Sequence, residues 1–304
     1  MKSKVFYSNG KLLISGEYVV LDGALSFAVP TKFGQSLTVE TIEHPKLIWN
    51  SIDNNGLTWF TSEFEIKNNR VLKLDQYDDI SKRLIQIFNT IRSLNPDFLN
   101  NNKGYKITTK LDFATNWGLG TSSTLINNLA QWAGVDAYTL LENSFGGSGY
   151  DIACAQHHTP ITYQIKNGKP LVKPVEFAPD FIDNLYFVHL NKKQNSREGI
   201  KHYKENKQNS NYVIKEINTI SLEMIKSNAL EDFENLITKH EYVISKITKQ
   251  TPVKAMLFED YPGSIKSLGA WGGDFVLATS KSDPTEYFKR KGFETVIPYK
   301  NMVL

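Results

Sequence analysis

Apolar positions along this chain fall into runs whose period shifts between strand-like and helical. Near the N-terminus, residues 11–21 form an apolar run punctuated by Gly16, and 36–42 and 57–65 read as further strands. The clusters Asp53-Asn54-Asn55-Gly56 and Asn68-Asn69 lie between such runs and predict hairpin turns. Residues 78–94 carry Ile80, Leu84, Ile87 and Ile91 at helical spacing, and Asn95-Pro96 predicts the stop. After a polar loop at 100–104, residues 105–113 alternate as a strand. Residues 122–132 read as a helix behind a glycine turn, and 137–145 as a second short helix closed by Gly146-Gly147. Strands follow around Ile161 and at 186–190. The remainder predicts helices at 212–227 and 230–248, a helix around Ser264, a strand at 275–279, a helix at 284–291 and a last strand. This mixture predicts an α+β fold in two domains, 1–178 and 179–304, with the boundary where Pro179-Asp180 interrupts the pattern.

Composition narrows the function classes. A chain of 304 residues exceeds one minimal core, and 40% hydrophobic with 22% charged residues is a normal globular balance. The net charge of +3 (35 basic, 32 acidic) is too mild to imply nucleic acid. Basic residues do not cluster with aromatics on any readable strand, which also argues against RNA binding. Cys154 is the only cysteine, so an intramolecular disulfide and a cysteine-type zinc site are both excluded. A reducing, cytoplasmic setting is the expectation. Nowhere do eighteen apolar residues run together, so no membrane span is expected.

The segment richest in candidate chemistry is Asn116-Trp117-Gly118-Leu119-Gly120-Thr121-Ser122-Ser123-Thr124, between a predicted strand and a predicted helix. Glycines let the backbone approach an anion, and the amides that open the helix bind its oxygens. The lysine of a Walker A loop and the third glycine of a dinucleotide fingerprint are both missing. On these residues alone, a serine-capped helix after a glycine turn is an equal alternative.

Two further glycine-rich segments flank it. Gly10-Lys11-Leu12-Leu13-Ile14-Ser15-Gly16-Glu17-Tyr18 stands near the N-terminus, and Lys266-Ser267-Leu268-Gly269-Ala270-Trp271-Gly272-Gly273-Asp274 near the C-terminus. In order and approximate separation the three resemble the signature motifs of the GHMP kinases, and Gly147-Ser148-Gly149-Tyr150-Asp151 is similar to a fourth element of mevalonate-type members. The resemblance implies a two-domain GHMP fold: an N-terminal domain like ribosomal protein S5 domain 2 and a ferredoxin-like C-terminal domain. It also implies an ATP- and Mg²⁺-dependent kinase of a small metabolite, acting as a monomer or homodimer without nucleic acid or membrane.

By that resemblance Asp151 is the catalytic base and Lys11 its cationic partner, the two meeting in one cleft. Gly118, Leu119, Gly120, Thr121, Ser122 and Ser123 hold the nucleotide phosphates, and Ser122 and Glu142 are the Mg²⁺ ligands. Glu17, Lys193, Ser196, Arg197, Gly272 and Gly273 face the substrate. The basic, polar run Asn191-Lys192-Lys193-Gln194-Asn195-Ser196-Arg197 suits an anionic substrate, with a solvated loop as the equal alternative. By the resemblance it leans toward phosphomevalonate kinase, and mevalonate or phosphomevalonate is the expected acceptor. A sugar or amino-acid-like acceptor, or a catalytically silent relative, is the alternative. The pair His157-His158 lacks a third metal ligand nearby and reads as surface or pocket residues.

Overall fold

Strands β1 (Ser3–Ser15) and β2 (Ser26–Ile42) frame the first glycine-rich segment. β1 stops where Gly16 takes a φ of 91°. A Cβ there would lie 2.1 Å from Ser26 Oγ, so glycine is required for this close return. The apolar run therefore does not continue as a strand to residue 21: its second half is a single 3₁₀ turn over Val19–Asp22. The computed structural model describes residues 3–67, 70–73, 78–194, 196–207 and 211–304. The turn expected at Asn68-Asn69 lies outside them.

The following elements are β3 (Lys46–Ile52), β4 (Thr58–Lys67), β5 (Arg70–Leu72), α1 (Asp79–Leu94), β6 (Gly104–Leu111), α2 (Thr121–Ala133), α3 (Ala137–Glu142) and α4 (Tyr150–Gln156). Next come β7 (Ile161–Lys166), β8 (Lys169–Pro174), β9 (Leu185–His189), α5 (Ser196–Asn206), α6 (Asn211–Lys226) and α7 (Leu230–Thr248). The chain ends through α8 (Val253–Leu257), β10 (Ile265–Ser267), β11 (Phe275–Thr279), α9 (Thr285–Arg290), β12 (Val296–Pro298) and α10 (Tyr299–Met302). No helix among the described residues is long and apolar enough to cross a membrane.

Two compact units result, neither a continuous stretch of chain. The first comprises Met1–Gly10, Phe33–Thr115 and Gly120–Gln156. Its strands run in the order β5-β4-β3-β6-β2, with β3 and β6 parallel and the other neighbours antiparallel. Alternate strand positions (Leu37, Val39, Trp49, Phe64, Ile107) point into a core closed by Ile87, Phe88 and Ile91 of α1 and Ile126 and Leu129 of α2. Asp78 caps α1 by accepting the Ser81 N–H at 2.7 Å. Ile80, in the first turn, is 40% exposed and does not join the apolar face that its spacing suggested.

The second unit comprises Lys11–Lys32, Asn116–Leu119 and His157–Leu304. Here β7 pairs with the first residues of β2 and with β8, and a separate antiparallel sheet runs β10-β11-β9-β12. Val188, Phe258, Ile265, Val276 and Phe288 form part of its core. The helix expected around Ser264 is a correction: Ile265, Lys266 and Ser267 are all buried and extended as β10, paired to β11. The short helix lies upstream as α8, opened by Pro252, whose fixed φ and missing N–H suit a helix start.

Candidate functional site

In the first unit, α2 begins without a side-chain cap. Gly120 sits at its N-cap with φ of 95° and supplies no side-chain cap to the opening amides. The hydroxyls of Ser123 and Thr124 turn back onto the Gly120 carbonyl at 2.8 and 3.0 Å. The amides of 121–123 have no intrahelical acceptor, so this thirteen-residue helix presents uncapped donors and the positive end of its dipole. Ser123 is buried and engaged in that turn, whereas the Ser122 side chain is exposed. Asp151 stands in the first turn of α4, half-buried, with Oδ1 accepting the Ile152 N–H at 3.2 Å. The glycines before it, Gly146, Gly147 and Gly149, all have positive φ. Glu142 is exposed at the end of α3, and Asp136 caps that helix by accepting the Thr139 N–H at 2.7 Å. Among the described residues no three His, Cys, Asp or Glu side chains gather as a metal site. An exposed serine hydroxyl at an anion-seeking helix start nevertheless fits Mg²⁺, which takes few protein ligands and completes its shell with phosphate and water.

In the second unit, Lys11 holds the segment before α2. Its N–H donates to the Leu119 carbonyl at 3.0 Å and its Nζ to the Gly118 carbonyl at 2.9 Å. Gly118 (φ 67°) lies under the Asp274 carboxylate, and a Cβ on it would fall 2.2 Å from Asp274 Cγ. Trp117 packs edge-on to Phe275 with ring centroids 5.5 Å apart. The loop carrying Lys193 is latched to the third glycine segment. The Asp274 N–H donates to the Lys192 carbonyl at 2.7 Å, the Gln194 N–H to Asp274 Oδ1 at 3.1 Å, and Gln194 Nε2 to the Trp271 carbonyl at 2.7 Å. A Cβ on Gly273 would meet the Lys192 carbonyl at 2.8 Å, so this approach needs glycine. Lys193 itself is exposed, and the side chains of Ser196 and Arg197, at the start of α5, lie outside the described residues. The Trp271 indole is turned inward, 3% exposed.

Glu17 is not at the surface of this arrangement. It is fully buried, with Lys266 Nζ bonded to Oε1 and His240 Nε2 at 3.1 Å from Oε2. Glu241 Oε1 lies 3.9 Å from the same ammonium, and its Oε2 accepts the Ser267 hydroxyl at 2.8 Å. His240 Nε2 accepts the Gly16 N–H at 3.0 Å, which requires a neutral ring protonated at Nδ1. Burial lowers the pKa of His240, and the Lys266 charge lowers it further. For Glu17 burial acts upward, but the carboxyl is held below its ordinary range, the Lys266 charge being the largest opposing cause.

Burial pushes the Glu241 carboxyl up to about 7, with Glu17 adding to the rise against the opposing pull of Lys266. The folded chain thus binds this proton more tightly than the unfolded chain, and the stabilisation is complete below the ordinary value of 4.5. Stability should then fall on the order of 3 kcal/mol as pH rises through that window to about 7. Denaturant titrations across that range should show the fall in the wild-type chain and its absence in Glu241→Gln. Parallel curves for the two proteins would refute the assignment.

Lys266, His240, Glu241 and Asp274 are the residues that sequence reading did not single out. A signal existed for two of them: His240 and Glu241 follow Phe233 and Ile237 on the apolar face of α7, where charge is out of pattern.

No family model matches this chain. It is 24% identical over 284 residues to a mevalonate kinase of Methanocaldococcus jannaschii, covering 88% of each protein. The crystal structure of a Methanococcus jannaschii mevalonate kinase superposes with a TM-score of 0.71 at 18% identity, over 97% of this chain and 96% of that one. A Streptococcus pneumoniae phosphomevalonate kinase in complex with phosphomevalonate and AMPPNP gives 0.68 at 15% identity, over 95% of both chains. Lactococcus lactis galactokinase gives 0.67 at 15% identity, over 95% of this chain and 88% of that one.

Proposed function

From the GHMP kinase fold that this chain has, we propose that it is an ATP-dependent kinase of a small metabolite, with mevalonate or phosphomevalonate as the acceptor. The observation that carries the reading is the uncapped, glycine-opened start of α2, preceded by a segment that Lys11 grips through the Gly118 and Leu119 carbonyls. Phosphoryl transfer is largely positioning and charge neutralisation, and these residues supply both. The amides at the start of α2 bind phosphate oxygens, and Gly118 and Gly120 let the backbone come close. Ser122 and Glu142 would hold Mg²⁺, which when bound neutralises charge on the phosphates. Lys11 adds a fixed positive charge beside the transferring group. Asp151 takes the proton of the attacking hydroxyl or phosphate.

A cationic Lys193 on a loop latched to Gly273 and Asp274 favours an acceptor that already bears a negative group. The test is ADP release with mevalonate, phosphomevalonate, galactose and homoserine, each with Mg²⁺-ATP. Release is expected with one of the first two. Nucleotide binding without ADP release on any of the four would sink the kinase reading. Release with galactose or homoserine alone would move the acceptor to another class.

A further inference from the structure

Three consecutive residues beyond β1 each reach a different partner within the second unit. The Gly16 N–H donates to His240 Nε2 at 3.0 Å, Glu17 receives Lys266 Nζ, and the Tyr18 hydroxyl accepts the Trp271 N–H at 3.2 Å. The strand that precedes them carries Lys11, whose Nζ holds Gly118 at 2.9 Å, and Gly118 lies under Asp274. Trp271 and Asp274 share the turn that follows β10, and β10 carries Lys266. The contacts close a ring: Lys11 to Gly118, to Asp274, through the turn to Trp271, to Tyr18, and back along β1.

This ring is an expensive way to hold a fold together. Replacing a buried ion pair with apolar groups of similar volume is often neutral or stabilising, so net stability does not account for it. Of the six buried side-chain polar atoms without a hydrogen bond among the described residues, four belong here: Glu17 Oε2, His240 Nδ1, Glu241 Oε1 and Trp271 Nε1. Such a concentration of unsatisfied groups marks a place where geometry is kept at the expense of stability. Lys266 is 0% exposed and cannot touch a substrate. What it can do is fix the direction in which the first glycine segment meets the third.

We propose that Lys266 is a positioning residue for phosphoryl transfer, holding through Glu17 the ring that aims the Lys11 ammonium. The catalytic consequence rests on the kinase reading above, whereas the ring itself is measurable without turnover. The decisive variant is the double replacement Glu17→Gln/Lys266→Met, assayed below about pH 7, where Glu241 keeps its proton, so that both charges go together and no unpaired ion is left. It should melt close to the wild-type temperature. Its kcat should fall at least about tenfold while KM for ATP stays within about twofold, since an aiming defect acts on the transition state. Amide exchange at Gly16 and Trp271 should accelerate at least about tenfold, with β9 and β11 unaffected.

Full kcat in the folded double variant would make the pair merely structural and overturn the proposal. Unchanged exchange at Gly16 and Trp271 would overturn the ring whatever the turnover. If the double variant does not fold, Tyr18→Phe removes only the Trp271 bond and should still lower kcat and speed Trp271 exchange. Wild-type values for that variant would overturn the ring equally. A wild-type chain that releases no ADP from any acceptor would instead be a failure of the kinase reading. It would remove the catalytic role even where exchange reports the ring.

Discussion

Replacing Asp151 with asparagine should lower kcat by about two to four orders of magnitude while Mg²⁺-ATP still binds with nearly wild-type affinity. The substitution keeps the shape of a side chain in the first turn of α4 and removes only its capacity to accept a proton. A hydroxyl acceptor is a poor nucleophile at neutral pH, so loss of the base falls on the chemical step rather than on binding. Lys11→Ala should damage kcat as well, because it removes both a fixed charge and the 2.9 Å bond that holds the Gly118 carbonyl. If the two residues serve one transferring group, the double variant will be little worse than the more damaged single one. Steady-state kinetics and calorimetric nucleotide binding on all three variants supply the measurement. A fully active Asp151→Asn enzyme would eliminate Asp151 as the base, and strictly additive losses would separate the roles of the two residues.

The second large effect is on stability. Lys266→Met alone should destabilise the chain by about 3–5 kcal/mol, the cost of leaving a buried carboxylate without its cation. Lys266 is the ammonium that both Glu17 and Glu241 face, and all three side chains are buried. Methionine fills a similar volume, so the loss is electrostatic rather than a cavity effect. Adding Glu17→Gln should restore most of it, because an amide tolerates burial better than an unpaired ion. Urea denaturation of the single and double variants measures both numbers. A loss below about 1 kcal/mol in the single variant would mean that the pair is not desolvated as the structure has it.

Where a local rule controls the backbone, residues and structure agree closely. The 3.6-residue spacing of Leu84, Ile87 and Ile91, with Asp78 before it and Asn95-Pro96 after it, corresponds to α1. The glycine turn and hydroxyl-rich start at 118–123 correspond to the opening of α2. Short elements were harder to read. β10 has three residues, too few for a period of two to be distinguished from a helical one, and its middle residue is a buried lysine. α4 has seven, entered through Gly146, Gly147 and Gly149, and leaves no long apolar stripe to detect.

By itself the sequence determined the mixture of strands and helices, the three glycine segments and the glycine turn that opens α2, because each depends on neighbours within a few residues. Tertiary structure decided the rest. Glu17 looked like a candidate substrate contact in its motif, yet the fold buries it against Lys266, 249 positions away. Gly118 read as a phosphate-approach glycine, and the fold adds a second reason for it, the Asp274 carboxylate packed on its Cα. Trp271 stands in the third glycine segment, and the fold turns its ring inward and bonds its backbone N–H to the Tyr18 hydroxyl. In each case the partner comes from a distant stretch of chain. Hydrophobic periodicity specifies which face of an element is buried, but it does not specify what meets a charge on that face.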